Sequence, residues 1–190
     1  MFIQTEATPN PNVLKFLPGR EVMGEGSREF AAQEAEASPL AAAIFEVDGV
    51  DKVFFGPDFV TVTRADDDLD WRQLKAPILA AIMEHFTSGA PLFIEEQTAA
   101  AHDDDGEYEG ETAQVVAEIK DLLDTRIRPA VARDGGDILF NRFDPATGVV
   151  FLHMRGACSG CPSSSATLRS GVENMLKHYV PEVTAVQQAL

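Results

Sequence analysis

The sequence predicts an α+β protein of two small domains, each an antiparallel sheet with helices on one face, joined by an acidic linker. Three observations carry that expectation. The 190 residues are 45% hydrophobic, enough to fill real cores, and the length suits two small domains or one large one. The charge is unevenly spread: residues 1–98 hold 7 basic and 17 acidic groups, residues 99–111 hold 6 acidic and no basic ones, and residues 112–190 hold 8 of each. Short β-rich runs alternate with segments of helical period on both sides of the acidic stretch.

In residues 1–98, strands are expected at Phe2–Thr5 and Asn12–Phe16, flanking the turn-rich Pro9-Asn10-Pro11. Val50–Phe55 and Phe59–Arg64 read as a hairpin closed by Gly56-Pro57-Asp58. Ser38 is placed to cap a helix over Leu40–Phe45. Asp70 is placed to cap a longer one carrying Leu74, Ile78, Ile82 and Phe86, before a strand at Leu92–Ile94. Nothing in this segment has a catalytic pattern. His85 has no cysteine or histidine at ligand spacing and reads as an ordinary surface or partly buried histidine, and Trp71 as a packing residue.

Residues 99–111, AAAHDDDGEYEGE, lack any aliphatic residue larger than alanine and repel themselves, so they read as a flexible, solvated linker. Beyond it, Val115, Ile119, Leu122, Leu123, Ile127 and Val131 mark one helix face. Two strands, Ile138–Phe143 and Val149–Arg155, follow across the turn-forming Asp144–Gly148. A second helix after Pro162 carries Leu168, Val172, Met175, Leu176 and Tyr179 on its stripe, and Val183–Val186 supplies a last strand. The order helix, strand, strand, helix, strand makes a mainly antiparallel sheet covered on one face by two helices.

The net charge of -16 argues against a nucleic-acid partner, and no apolar run is long enough to span a bilayer, so no membrane partner is expected. The opening MFIQTEATPNPN has neither a secretory signal nor an arginine-rich presequence, and a reducing, soluble compartment is the default. Only two cysteines exist, Cys158 and Cys161, too few and too close to staple the fold. Pro162 suits the first position of a helix, which makes Cys161 the expected cap, its sulfur facing unpaired N–H groups. Gly156 and Gly160 let the backbone bend around whatever the sulfurs hold. Residues 145–172 contain no Asp or Glu but include Arg155 and Arg169. Such surroundings are expected to lower the thiol pKa and to suit an anionic group such as a four-thiolate iron–sulfur cubane. Two sulfurs fill half of a four-thiolate site, so a stable site needs two chains or donated ligands. His153 alternates along a strand with Phe151 and Arg155 and is not expected to serve; His102 and His178 read as solvated.

Several segments resemble the C-terminal domain of NifU-like (Nfu-type) proteins. They are Arg128-Pro129-Ala130-Val131, Asp134-Gly135-Gly136-Asp137-Ile138, the run from Leu152 through Cys158-Ser159-Gly160-Cys161-Pro162, and Thr167-Leu168 to Val172-Glu173. The Asn10-Pro11-Asn12 turn and the Phe54-Phe55-Gly56 hairpin resemble the N-terminal domain of the same proteins. The resemblance covers nearly the whole chain outside the linker. It implies an iron–sulfur cluster carrier, not an enzyme, with residues 112–190 for cluster binding; residues 1–98, with no cysteine and a net charge of -10, suit partner recognition through electrostatic complementarity. Cys158 and Cys161 would ligate a [4Fe–4S] cluster shared between two chains of a homodimer, received from an upstream scaffold and delivered to apo-proteins. With no cysteine-rich scaffold domain and no presequence, a bacterial cytoplasmic delivery protein is expected. Two other readings use the same CxxC: a thiol–disulfide oxidoreductase, and a zinc-bridged dimeric adaptor. Against the oxidoreductase, the CxxC falls late in its domain and follows Gly-Ala rather than an aromatic residue.

Overall fold

The computed structural model describes residues 1–94, 107–160 and 162–189. The chain divides into two compact units, Met1–Ala99 and Ala100–Leu190. Most of the acidic stretch expected as a linker lies outside the described residues. No helix among the described residues is long and apolar enough to cross a membrane.

The first unit is a five-stranded antiparallel sheet with helices on one face. Its strands are β1 (Gln4–Ala7), β2 (Val13–Leu17), β3 (Arg28–Ala31), β4 (Val50–Phe55) and β5 (Val60–Arg64), in the order β1-β2-β5-β4-β3. The pleat sends Phe16, Val60 and Phe55 to one face, and Val62, Val53 and Phe30 join them there. Onto this face pack Leu40 and Ile44 of α1 (Pro39–Phe45) and Leu74, Ile78 and Ile82 of α2 (Trp71–Ser88). Both expected caps form: Ser38 Oγ accepts from the Ala41 N–H at 3.3 Å, and Asp70 Oδ1 from the Arg72 N–H at 2.9 Å.

Two expectations for this unit change. No strand forms at Leu92–Ile94. The pairing edge of β4 is taken instead by β3, whose Arg-Glu-Phe-Ala carries too little apolar alternation to be read as a strand. Leu92 and Phe93 pack against the core from an irregular segment, and the Ile94 N–H donates to the Ala37 carbonyl at 3.1 Å. His85 is buried, lies edge-on to Phe86 with ring centroids 5.3 Å apart, and has its pKa pushed down by that burial.

The second unit opens with α3 (Gly110–Leu122), a π-helical turn (Leu123–Ile127) and α4 (Arg128–Arg133), which run on without a break. Pro129 accounts for the turn. It has no N–H for the Thr125 carbonyl, and its ring crowds that group, so the chain widens and the Arg128 N–H bonds back five residues to Leu123. The sheet that follows has the order β6-β7-β8, from β6 (Gly136–Asp144), β7 (Val149–Gly156) and β8 (Ala185–Gln188). β6 and β7 pair antiparallel, whereas β8 lies parallel to β7. The parallel pairing follows from connectivity, because the chain crosses back through α5 (Pro162–Tyr179) before adding the last strand.

Val116, Ile119, Leu123, Ile127 and Val131 pack with Ile138, Phe140, Val150, Leu152 and Met154 in one core, to which α5 adds Val172 and Leu176. Met175 and Tyr179, expected on the buried stripe of α5, are instead 36% and 45% exposed. They flank the narrow buried line of Val172 and Leu176 rather than lying on it. The Tyr108 hydroxyl accepts from the Phe143 N–H at 2.8 Å and donates to the Phe143 carbonyl at 3.1 Å, so it satisfies the outward backbone groups of edge strand β6.

Candidate functional site

The loop that bears Cys158 is fixed by what precedes it. β7 ends at Gly156, which takes a φ of 62°, a left-handed conformation that turns the chain off the sheet; Gly160 repeats the device at 84°. Between them the Cys158 N–H donates to the Arg155 carbonyl at 3.3 Å and the Ser159 N–H to the Gly156 carbonyl at 3.1 Å. The Ser159 hydroxyl donates to the same carbonyl at 2.9 Å. The Ala157 N–H ties the loop to the Gly135 carbonyl at 3.1 Å, just ahead of β6.

Cys158 points into the core and is 5% exposed. Its sulfur occupies the space where a side chain at position 136 would be. A Cβ built on Gly136 would lie 2.3 Å from Cys158 Sγ, 2.8 Å from the Arg155 carbonyl oxygen and 2.9 Å from the Cys158 nitrogen. Glycine at 136 is therefore a condition for this packing.

Cys161 lies outside the described residues, as does the cap expected of it. Pro162 is the first residue of α5, as its chemistry predicts. Among the described residues, no three His, Cys, Asp or Glu side chains converge as metal ligands. His153 is not brought to the sulfur. It sits on the outer face of β7 with Phe151 and Arg155, opposite Val150, Leu152 and Met154, which share the core with Cys158. Burial and then Arg155 push its pKa down, and its Nε2 lies 2.9 Å from Asn141 Nδ2, within hydrogen-bond distance. Asn141 reaches it from a β-bulge between Phe140 and Arg142. His178 is exposed and stacks edge-on against Tyr179. His102 lies outside the described residues.

The expected lowering of the thiol pKa is reversed. Burial first, and then the negative charges of Asp137 and Asp134, together push the Cys158 thiol up to about 12. The stretch 145–172 is free of carboxylates, but the fold brings two from the start of β6. Asp137 is buried, and Arg128 grips it with Nε to Oδ1 and Nη2 to Oδ2, each 2.9 Å. The Ile138 N–H adds a third bond to Oδ1 at 2.9 Å. Arg128 also donates to Asp124 Oδ1 at 3.0 Å, and its own pKa is raised, mostly by the bond to Asp137. The clamp ties the start of α4 to β6. In the sequence, Gly136 and Asp137 read as part of the run Arg133–Asp137 that breaks the helix, and nothing there links Arg128 to Asp137. A half-buried arginine nine residues before a buried aspartate has no local periodicity that would disclose the pair.

Comparison with known proteins places this arrangement. Residues 3–89 match the family model described as scaffold protein Nfu/NifU N terminal, and residues 119–187 match the NifU-like domain. NifU-like protein 5, mitochondrial, of Arabidopsis thaliana is 55% identical over 99% of this chain and 68% of its own length. The chain belongs to the NifU-like family. NifU-like protein 4, mitochondrial, of the same plant is 56% identical over 99% of this chain and 66% of its own length. The human NFU1 iron-sulfur cluster scaffold homolog, mitochondrial, is 48% identical over 100% of this chain and 72% of its own length. This NifU-like chain thus spans about two thirds of the length of these curated relatives. The expected cytoplasmic location is corrected by the same finding: all three relatives are named mitochondrial, which points to the mitochondrion. The presequence argument fails because these relatives are longer than the stretch that matches, so the first residues of the match do not define a compartment.

Proposed function

We propose that this chain is an iron–sulfur cluster carrier, with Cys158 and Cys161 of each of two protomers supplying the four thiolates of a [4Fe–4S] cluster that is handed to apo-proteins. The observation that carries the reading is that the chain's only two cysteines stand two residues apart inside the segment matched to the NifU-like domain. One relative in that family is named an iron-sulfur cluster scaffold homolog, and the cargo is carried over from that name. Residues 112–190 hold the ligands. Residues 1–98, with no cysteine and a net charge of -10, serve partner recognition through electrostatic complementarity, and residues 99–111 join the two. The role is to bind and hand on a cargo, not to turn over a substrate.

The chemistry of Cys158 supports a ligand over a redox nucleophile. A thiol held near pKa 12 is thiolate in roughly one molecule in 100,000 at pH 7, too few for fast disulfide exchange. Iron removes that obstacle, because it replaces the proton on sulfur. The loop, hinged at Gly156 and Gly160, then has to turn the sulfur from the Gly136 face towards the cargo.

Anaerobic reconstitution tests the reading. The full chain should turn brown, run as a dimer and contain about two irons and two sulfides per chain. Cys158→Ser and Cys161→Ser should each abolish stable loading while the far-UV dichroism of the chain is unchanged. A loaded monomer with four irons would overturn the shared-site reading. A colourless dimer containing zinc would replace the cargo, and normal loading of either serine variant would overturn the ligand assignment.

A further inference from the structure

We propose that the stripe Leu168, Gly171, Met175 and Tyr179 of α5 is the seam on which a second copy of this chain docks, so that two α5 helices run side by side away from a shared cluster. The inference rests on the shared-cluster reading above and names the surface that seats the second copy.

The stripe is an apolar flank that the described elements leave uncovered. Its steps of three, four and four residues keep it on one side of the helix. Leu168 is half-buried at the edge of the core, Met175 and Tyr179 are exposed, and a Cβ built on Gly171 would meet no atom within 4 Å. Glycine thus leaves the helix backbone open at the centre of the stripe, where a second helix can approach closely.

Tyr179 is held in place. Arg126 Nη1 donates to its hydroxyl at 3.2 Å, and the guanidinium lies 4.9 Å from the ring centre. The ring forms one wall of a cleft whose other wall is Ala117, Glu118, Asp121 and Leu122 of α3. A fixed aromatic ring beside a cleft loses little freedom when an incoming side chain packs on it, which is the character of an interface anchor.

The cysteine count names the occupant. Cys158 lies in the loop before α5 and Cys161 directly before Pro162, its first residue, so four thiolates need a second copy's loop at this end of the helix. Two equal chains around one cluster are related by a two-fold axis through it. Both α5 helices then start at that axis, and each stripe can lie along its copy only if the helices run in the same direction. Charge favours the same unit as the meeting surface. Residues 112–190 hold 8 basic and 8 acidic groups and approach their copy without net repulsion, whereas residues 1–98 carry a net charge of -10. Beside the stripe, Lys177 Nζ lies 2.6 Å from Glu173 Oε1, so those two charges cancel within each helix.

The test follows the full chain, carrying methionine labelled with carbon-13 at its methyl, by NMR before and after anaerobic loading. Met175 is about 20 Å along α5 from Pro162, far enough that a change there reports a neighbour rather than the iron. Its methyl should shift on loading, whereas that of Met83, also exposed but on α2 of the first unit, should not. Met175→Glu sets like charges against each other across the axis, and Tyr179→Ala removes the anchor. In each, cluster loss to excess EDTA should quicken about tenfold. Tyr179→Phe keeps the ring and should stay within about twofold of the parent. The unloaded variants should melt with the parent, because both side chains are exposed. A Met175 methyl that does not move in a normally loaded dimer would overturn the seam and leave the carrier reading in place, as would unchanged cluster loss in both variants. The methyl readout uses the unsubstituted chain, so it decides even where a variant fails to fold. Loading as a monomer with four irons, or no loading at all, would overturn the shared-cluster reading, and the seam with it.

Discussion

Replacing Gly136 with alanine should destabilise the second unit by an amount that the contacts around it set. The position lies at the start of β6, and its φ is not in the left-handed region, so alanine meets no backbone strain there. On conformational entropy alone the change would stabilise by about 0.4–1 kcal/mol. The new methyl would lie 2.3 Å from Cys158 Sγ, well over 1 Å inside a normal contact, and below 3 Å from two backbone atoms of the cysteine loop. A side chain can rotate away, but the Arg155 carbonyl and the Cys158 nitrogen move only if the loop does. The loop is held by the Ala157–Gly135 bond and the Gly156 turn. Overpacking of this kind costs about 1–3 kcal/mol, which leaves a net loss of about 1–2 kcal/mol. For a unit of this size, that lowers Tm by about 5–15 °C. Gly171 is the internal control: it is an exposed residue within α5 with nothing within 4 Å of its added Cβ, so Gly171→Ala should stabilise by up to about 1 kcal/mol. Both tyrosines of the chain, Tyr108 and Tyr179, belong to the second unit, and the single tryptophan, Trp71, to the first. Tyrosine fluorescence during thermal melting therefore reads the unit that the substitutions touch. A Gly136→Ala protein as stable as the parent would refute the packing of Cys158 against β6. So would a Gly171→Ala protein destabilised to the same degree.

Two further outcomes follow from the clamp and the thiol. Arg128→Met strands the buried Asp137 carboxylate and should cost about 2–4 kcal/mol in urea unfolding, somewhat below the full value for a buried pair because the arginine is 29% exposed. A loss under about 0.5 kcal/mol would mean that water serves Asp137 equally well. In a metal-free Cys161→Ser background, alkylation of Cys158 by iodoacetamide should accelerate about tenfold per pH unit from pH 8 to pH 11, since the raised pKa delays the thiolate to about 12. A plateau near pH 9 would show an ordinary thiol. The same shift contributes stability that is fully present below the unfolded thiol's pKa and is lost as pH climbs through the folded one.

Where local pattern decided the structure, the sequence was legible. Ser38 and Asp70 cap the helices they were placed to cap, because a cap needs only a short polar side chain and the next two or three N–H groups. The β4–β5 hairpin and the β6–β7 pair were legible for a similar reason, since each is a run of β-formers closed by its own turn. β3 was not legible. Its four residues become a strand because β4 offers them an edge, and that edge is a tertiary fact. The rejected strand at Leu92–Ile94 is the converse: its apolar residues are buried without pairing, so hydrophobicity alone pointed to the wrong backbone.

The electrostatics of Cys158 show most clearly where reading along the chain stops working. Counting acids from 145 to 172 treats the neighbours in sequence as the neighbours in space, and gives a loop free of negative charge. The β6–β7 register makes that assumption fail. It pairs Gly136 with Gly156 and Asp137 with Arg155, so the residues that set the potential at Cys158 come from 21 and 24 positions earlier. The two glycines at 135 and 136 make the approach close enough for this to matter, because any side chain at 136 would hold the loop, and the acids flanking it, further off. A motif of two glycines between two aspartates is therefore a statement about field as well as about turns. The glycines bring a sulfur in, and the aspartates decide how that sulfur prefers to be charged once it is there. Burial alone would also raise the thiol, so the two contributions separate only by changing charge at fixed volume. Asp134→Asn does that at an exposed position. Repeating the alkylation of Cys158 in that background should move its pH profile to lower pH, whereas an unmoved profile would leave burial as the whole cause.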